Sequence, residues 1–126
     1  MEYLPPIHQQ ILDAIRQSGF VVIVDNHKVC KTNKYDGYTM TFKDPDNNIG
    51  KNTLLICNNV IRKNYDDWID KRNRVLAHEA IHVAQICKSN DGHIETLGFR
   101  KDLEQEAIAV QDQPKEVLRI VKKYCL

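Results

Sequence analysis

The sequence predicts an α+β fold, with a small sheet of three or slightly more strands packed on one long helix. Three observations predict it. The run Phe20-Val21-Val22-Ile23-Val24 is β-branched and lacks helical spacing. Two later apolar segments are short and bounded by turn-forming residues. From about residue 66 the apolar spacing becomes helical and remains so almost to the C-terminus. Helix, three strands, then helices is an order that suits helices gathered on one side of a sheet.

Each element has its own signal. Pro5-Pro6 opens a helix whose Ile7, Ile11, Leu12 and Ile15 share a face, and Gly19 supplies the stop. The run ending at Val24 reads as a buried strand. After Asp36-Gly37, Tyr38, Met40 and Phe42 alternate with Thr39, Thr41 and Lys43, as in a half-exposed strand. A turn over Asp44-Pro45-Asp46-Asn47-Asn48 and Gly50 leads to a third strand, Thr53 to Cys57, ending at Asn58-Asn59. The long helix runs from about Asp66, with Asp66 or Asp67 as its cap, to Lys88, and Trp68 reads as its anchor. Ser89-Asn90-Asp91-Gly92 breaks it. A second helix follows from about Thr96 to Asp112, and after Pro114 a terminal helix runs from about Lys115 to Tyr124.

At 126 residues the expectation is one domain, 1–126. A net charge of +1 with interleaved signs argues against a nucleic-acid protein, which carries a basic face. The start lacks a signal-peptide pattern, and no apolar run approaches the roughly 20 residues that span a bilayer. A soluble, cytoplasmic protein is therefore expected. Cys30, Cys57, Cys87 and Cys125 form no C-x-x-C pair and read as free, buried thiols, although four cysteines also allow two disulfides.

The chemistry centres on His78-Glu79-Ala80-Ile81-His82, an H-E-x-x-H pattern inside the long helix. Residues four apart differ by about 40° around a helix, so both imidazoles face one point. Zinc accepts imidazole nitrogen, and a catalytic zinc takes three protein ligands and leaves a fourth position for water. Glu79, beside the first histidine, is the expected base for that water. By composition the pattern arises by chance in roughly one such chain in a hundred. The opposite face of the helix (Leu76, Ala77, Ala80, Ile81, Val83, Ala84, Cys87) carries no charge, so this helix belongs in a core.

Glu104 is the expected third ligand. On a helix it would share a face with Leu97, Ala107 and Ile108, and a carboxylate in an apolar stripe needs a compensating cation. Glu106 would point about 160° away, beside Asp102, to the surface. The plainer alternative pairs Glu104 with Arg100 or Lys101. Lys88 stands where a more extended motif requires a third histidine, while His93 and Glu95 reach the metal only by an unusual loop path. His8 and His27 read as surface histidines, and Tyr124, His93, Arg100 and Tyr65 are unranked candidates for steadying an oxyanion.

With these residues in view, a family resemblance is specific. Leu55 to Arg62, with its Cys57-Asn58-Asn59, then Asn73-Arg74 leading into the H-E-x-x-H motif, then Cys87, then Glu104-Gln105-Glu106-Ala107, resembles the small mitochondrial intermembrane-space metallopeptidases that process an ATP-synthase subunit precursor. The HtpX-like and ImmA-type peptidases share the Glu-x-x-Ala element. The resemblance covers roughly residues 53–110. It implies a minimal gluzincin-type zinc endopeptidase with metal ligands His78, His82 and Glu104, catalytic Glu79, and a protein or peptide substrate paired along the 54–58 strand. Val83-Ala84-Gln85-Ile86 and Leu103 depart from the family pattern, and its other cysteines are missing. A zinc-binding module without strong activity, acting as a chaperone-like or regulatory domain, is the other reading the motif allows.

Overall fold

The computed structural model describes residues 1–32, 34–40, 52–89 and 94–126. The α+β class is the one the sequence predicts. The chain forms α1 (Pro6–Gln17), β1 (Val21–Val24), a 3-10 turn (Lys28–Thr32), β2 (Gly37–Met40), β3 (Thr53–Ile56), α2 (Asn58–Asn64), α3 (Trp68–Lys88), α4 (Leu103–Val110) and α5 (Pro114–Cys125). The expected turn at 44–50, the strand residues Thr41, Phe42 and Lys43, the break over 90–92, and His93 lie outside the described residues.

The strand order is β1-β3-β2, with β1 parallel and β2 antiparallel to β3. Thr53–Ile56 is thus the central strand, buried at every position. That overturns the expectation of substrate pairing along 54–58: β3 spends both edges on its neighbours, and Asn58 already begins α2. The run at 21–24 is also less buried than its composition predicts, because β1 is an outer strand with Val21 and Val24 each 37% exposed. β-Branching reported the strand but not its place in the sheet.

The long helix α3 is the hub. It packs on α1, α2, α4, α5 and the β2–β3 part of the sheet. Leu76, Ala77, Ala80, Ile81, Val83 and Ala84 are completely buried, which accounts for the uncharged face. Trp68 opens the helix, half-buried, with the guanidinium groups of Arg62 and Arg72 over its ring. Arg72 is itself buried and donates to the carbonyls of Glu2 and Tyr3, so the N-terminal segment is tied to this helix. Asp67 occupies the cap position, but its side chain makes no capping bond.

Gly37 and Thr39 lie two apart on β2 and share the face turned to α3. A Cβ at Gly37 would sit 2.7 Å from Val75 Cγ1 and 3.3 Å from Glu79 Cγ, so glycine lets strand and helix approach this closely. The start of β2 is pinned as well: Cys57 N–H donates to the Asp36 carbonyl, and the Tyr65 hydroxyl donates to its carboxylate.

All four cysteines are paired, as Cys30–Cys57 and Cys87–Cys125, which corrects the expectation of free thiols. Their spacing along the chain carried no sign of pairing, because the fold brings together residues 27 and 38 positions apart. The second bond joins the end of α3 to the end of α5. Closing loops of this length stabilises the folded chain by about 3–4 kcal/mol each in the chain-entropy description. Cys87→Ser/Cys125→Ser should therefore lower unfolding free energy by about 3–4 kcal/mol in urea titration. A change under about 1 kcal/mol would show that α5 is held by packing alone.

Candidate metal centre

His78 and His82 project from one side of α3, with ring centroids 5.0 Å apart. Glu104, in the first turn of α4, faces both. Its Oε1 lies 2.7 Å from His82 Nε2 and its Oε2 lies 3.1 Å from His78 Nε2. One donor atom from each of the three residues lies within 4.8 Å of the others, so the group can hold a metal ion. The site is graded in exposure: the His82 side chain is 10% exposed, His78 18% and Glu104 64%.

The other ring nitrogens are engaged too. His78 Nδ1 lies 2.9 Å from Gln111 Oε1, and His82 Nδ1 lies 2.7 Å from Gln85 Oε1. An imidazole that donates from Nδ1 to an amide oxygen carries its lone pair on Nε2. That lone pair then faces a carboxylate oxygen, and two acceptors at hydrogen-bond distance repel unless a proton or a cation lies between them. A metal ion satisfies all three groups at once.

Glu79 is buried against β2. The Thr39 hydroxyl lies 2.6 Å from Glu79 Oε2 and 3.1 Å from the Glu79 backbone carbonyl. Burial pushes the Glu79 carboxyl above its ordinary range, and the Thr39 hydrogen bond and the two histidines only partly oppose that. Two clefts meet here and share Tyr35, Gly37, His78 and Glu79. One, of about 350 Å³, is lined by Lys34, Asp36, Lys71 and Arg74. The other, of about 430 Å³, is lined by Thr39, Ile94, Leu103 and Glu104.

The route by which the sequence pointed to Glu104 needs correction. The stretch before Leu103 is not helical, so Leu97 does not share a helix with Glu104, and Ile108 is 56% exposed. Glu104 stands at an exposed edge of α4 and not in an apolar stripe. Its near neighbours are the histidines, and it makes no ion pair with Arg100 or Lys101 among the described residues. Glu106 is not at the surface: it is completely buried. Its carboxylate accepts from the backbone N–H groups of Leu97, Gly98 and Phe99 at 2.7–3.0 Å and from Gln85 Nε2 at 3.0 Å. Burial alone would raise this carboxyl, but those donors outweigh it and hold it below its ordinary range.

Thr39, Gln85, Gln111 and Tyr35 are site residues that sequence reasoning missed. Of the residues considered for an oxyanion, Tyr124 and Arg100 line clefts elsewhere, and Tyr65 is bonded to Asp36. His27 Nδ1 accepts from Val29 N–H, and neither it nor His8 belongs to the metal group.

Fold and site together define an α+β protein built around a His-His-Glu group able to hold a metal ion. The chain belongs to the family described as Domain of unknown function (DUF8637), whose model matches residues 1–100. His78, Glu79 and His82 fall inside the matched region and Glu104 four residues beyond it. No curated protein and no solved structure matches the chain.

Gly37→Ala should destabilise the protein by about 1–3 kcal/mol, because the added methyl meets Val75 and the Leu55 carbonyl. Thermal unfolding checks this. An unchanged melting temperature would mean that β2 has room to move away from α3.

Proposed function

We propose that this protein is a zinc-dependent endopeptidase in which His78, His82 and Glu104 hold the metal and Glu79 is the general base. The observation that carries the reading is the second carboxylate. Holding an ion requires the His-His-Glu group alone, yet Glu79 is buried on the same face of α3, at the meeting of two clefts, with Thr39 fixing one oxygen. A site that served only to bind metal has no use for it.

When bound, zinc supplies Lewis-acid polarisation and makes water acidic enough to attack near neutral pH. Glu79 takes a proton as the water oxygen bonds to the peptide carbonyl carbon. It returns that proton to the amide nitrogen as the C–N bond breaks. A buried carboxyl with a raised pKa is suited to holding the proton between these two stages. Tyr35, common to both clefts, is the phenol assigned in this reading to the carbonyl oxygen.

The substrate in this reading is an extended polypeptide lying across both clefts. Ile94 and Leu103 favour an apolar side chain on one side, while Lys34, Lys71 and Arg74 favour a polar one on the other. β2 replaces β3 as the strand offered to the substrate backbone, since its ladder among the described residues is to β3 alone. No helix among the described residues is long and apolar enough to cross a membrane. Two disulfides suit an oxidising compartment better than the cytoplasm.

Metal content and cleavage of an unstructured protein, compared between wild type and Glu79→Gln, test the proposal. The variant should keep its metal and cleave about 10²–10⁴-fold more slowly. Metal in both proteins with cleavage by neither would make this a metal-holding binding module instead.

A further inference from the structure

Gln85 is completely buried and bonded on every side. Its Nε2 donates to the Leu103 carbonyl and to Glu106 Oε1, both at 3.0 Å, and its Oε1 meets His82 Nδ1 at 2.7 Å. Leu103 immediately precedes Glu104, and Glu106 follows two residues later. One amide therefore touches a histidine on α3 and both flanks of the carboxylate on α4 that faces it. We propose that Gln85 and Glu106 are a positioning pair that sets His82 with its Nε2 lone pair outward and fastens the Glu104-bearing turn to α3, assembling the ligand group before any ion arrives. This rests on the metal-centre reading above.

The orientation of the amide is forced. A carbonyl and a carboxylate only accept, so the NH2 end of Gln85 must face Leu103 and Glu106. Turning the amide over would set its oxygen against both. Its Oε1 is thereby aimed at His82, whose Nδ1 must be the donor. Glu106 is held in turn by the N–H groups of Leu97, Gly98 and Phe99, with a longer contact from Arg100 at 3.4 Å. The turn at 97–100 therefore supports the carboxylate that orients the amide that orients the ligand. A role confined to bracing that turn accounts for the backbone bonds to Glu106 but leaves the contact between Gln85 and His82 unexplained.

Gln85→Leu cuts the link to His82 while leaving Glu106 its backbone partners. Competition titration with Zn²⁺ should show affinity about 10–100-fold weaker than wild type. Nitrogen-15 and proton spectra of the metal-free proteins give the readout that a bracing role would not move: the proton on His82 Nδ1. Wild-type His82 should carry an Nδ1 proton held by Gln85 and slow to exchange with water, and the variant should lose that slow proton. Equal affinity together with an unchanged Nδ1 proton overturns the proposal. Should the variant not fold, the wild-type spectrum decides alone, and a His82 Nδ1 without a proton overturns it. Wild-type protein that takes up no zinc while His82 keeps its Nδ1 proton defeats the metal-centre reading and upholds the orientation of the ring by Gln85.

Discussion

The structure is organised around a confrontation of acceptors: His82 Nε2 stands 2.7 Å from a Glu104 oxygen while its other nitrogen is taken by Gln85. A neutral imidazole cannot donate from both nitrogens, so this contact calls for an added positive charge, either a proton or a cation. His78 stands likewise between Gln111 behind it and the other Glu104 oxygen in front. A single carboxylate between two imidazoles, each backed by an amide, is the arrangement a divalent cation would balance. The surroundings serve to keep three groups together that would otherwise drift apart.

α3 does most of this work. Its apolar back is sealed against α1, α5 and the sheet, so the histidines on the other side cannot shift without disturbing the core. The Cys87–Cys125 bond closes its far end against α5. β2 approaches the middle of the helix closely because position 37 has no side chain, which puts Thr39 within reach of Glu79. α4 supplies Glu104 from an exposed edge, and its buried edge supplies Glu106, so one short helix carries a carboxylate for the ion and another for the scaffold.

How far the sequence revealed this differs from element to element. The i, i+4 histidines and the uncharged opposite face of α3 were legible, because a helix repeats at a fixed angle and burial follows that angle. α2 went unseen: Asn58-Asn59 looks like the end of a strand, yet Val60 and Ile61 are buried one turn into a short helix. The setting of Glu104 in an apolar stripe and the placement of Glu106 at the surface were misjudged because the second helix was taken to start near residue 96, which placed Leu97 in its register. Starting at Leu103 instead, Glu106, Ala107 and Val110 follow at i+3, i+4 and i+7 and mark the buried stripe, so the signal for Glu106 was present. The disulfides and the two glutamine contacts depend on which elements lie side by side. Local spacing does not record that.

Anomalous X-ray diffraction at the zinc absorption edge, on crystals of the wild-type protein grown with zinc, tests the central claim most directly. The account predicts one strong peak bounded by His78 Nε2, His82 Nε2 and the Glu104 carboxylate at about 2.0–2.2 Å, with Glu79 outside the ligand set. A peak elsewhere, or zinc held by the histidines with Glu104 turned away, would contradict it.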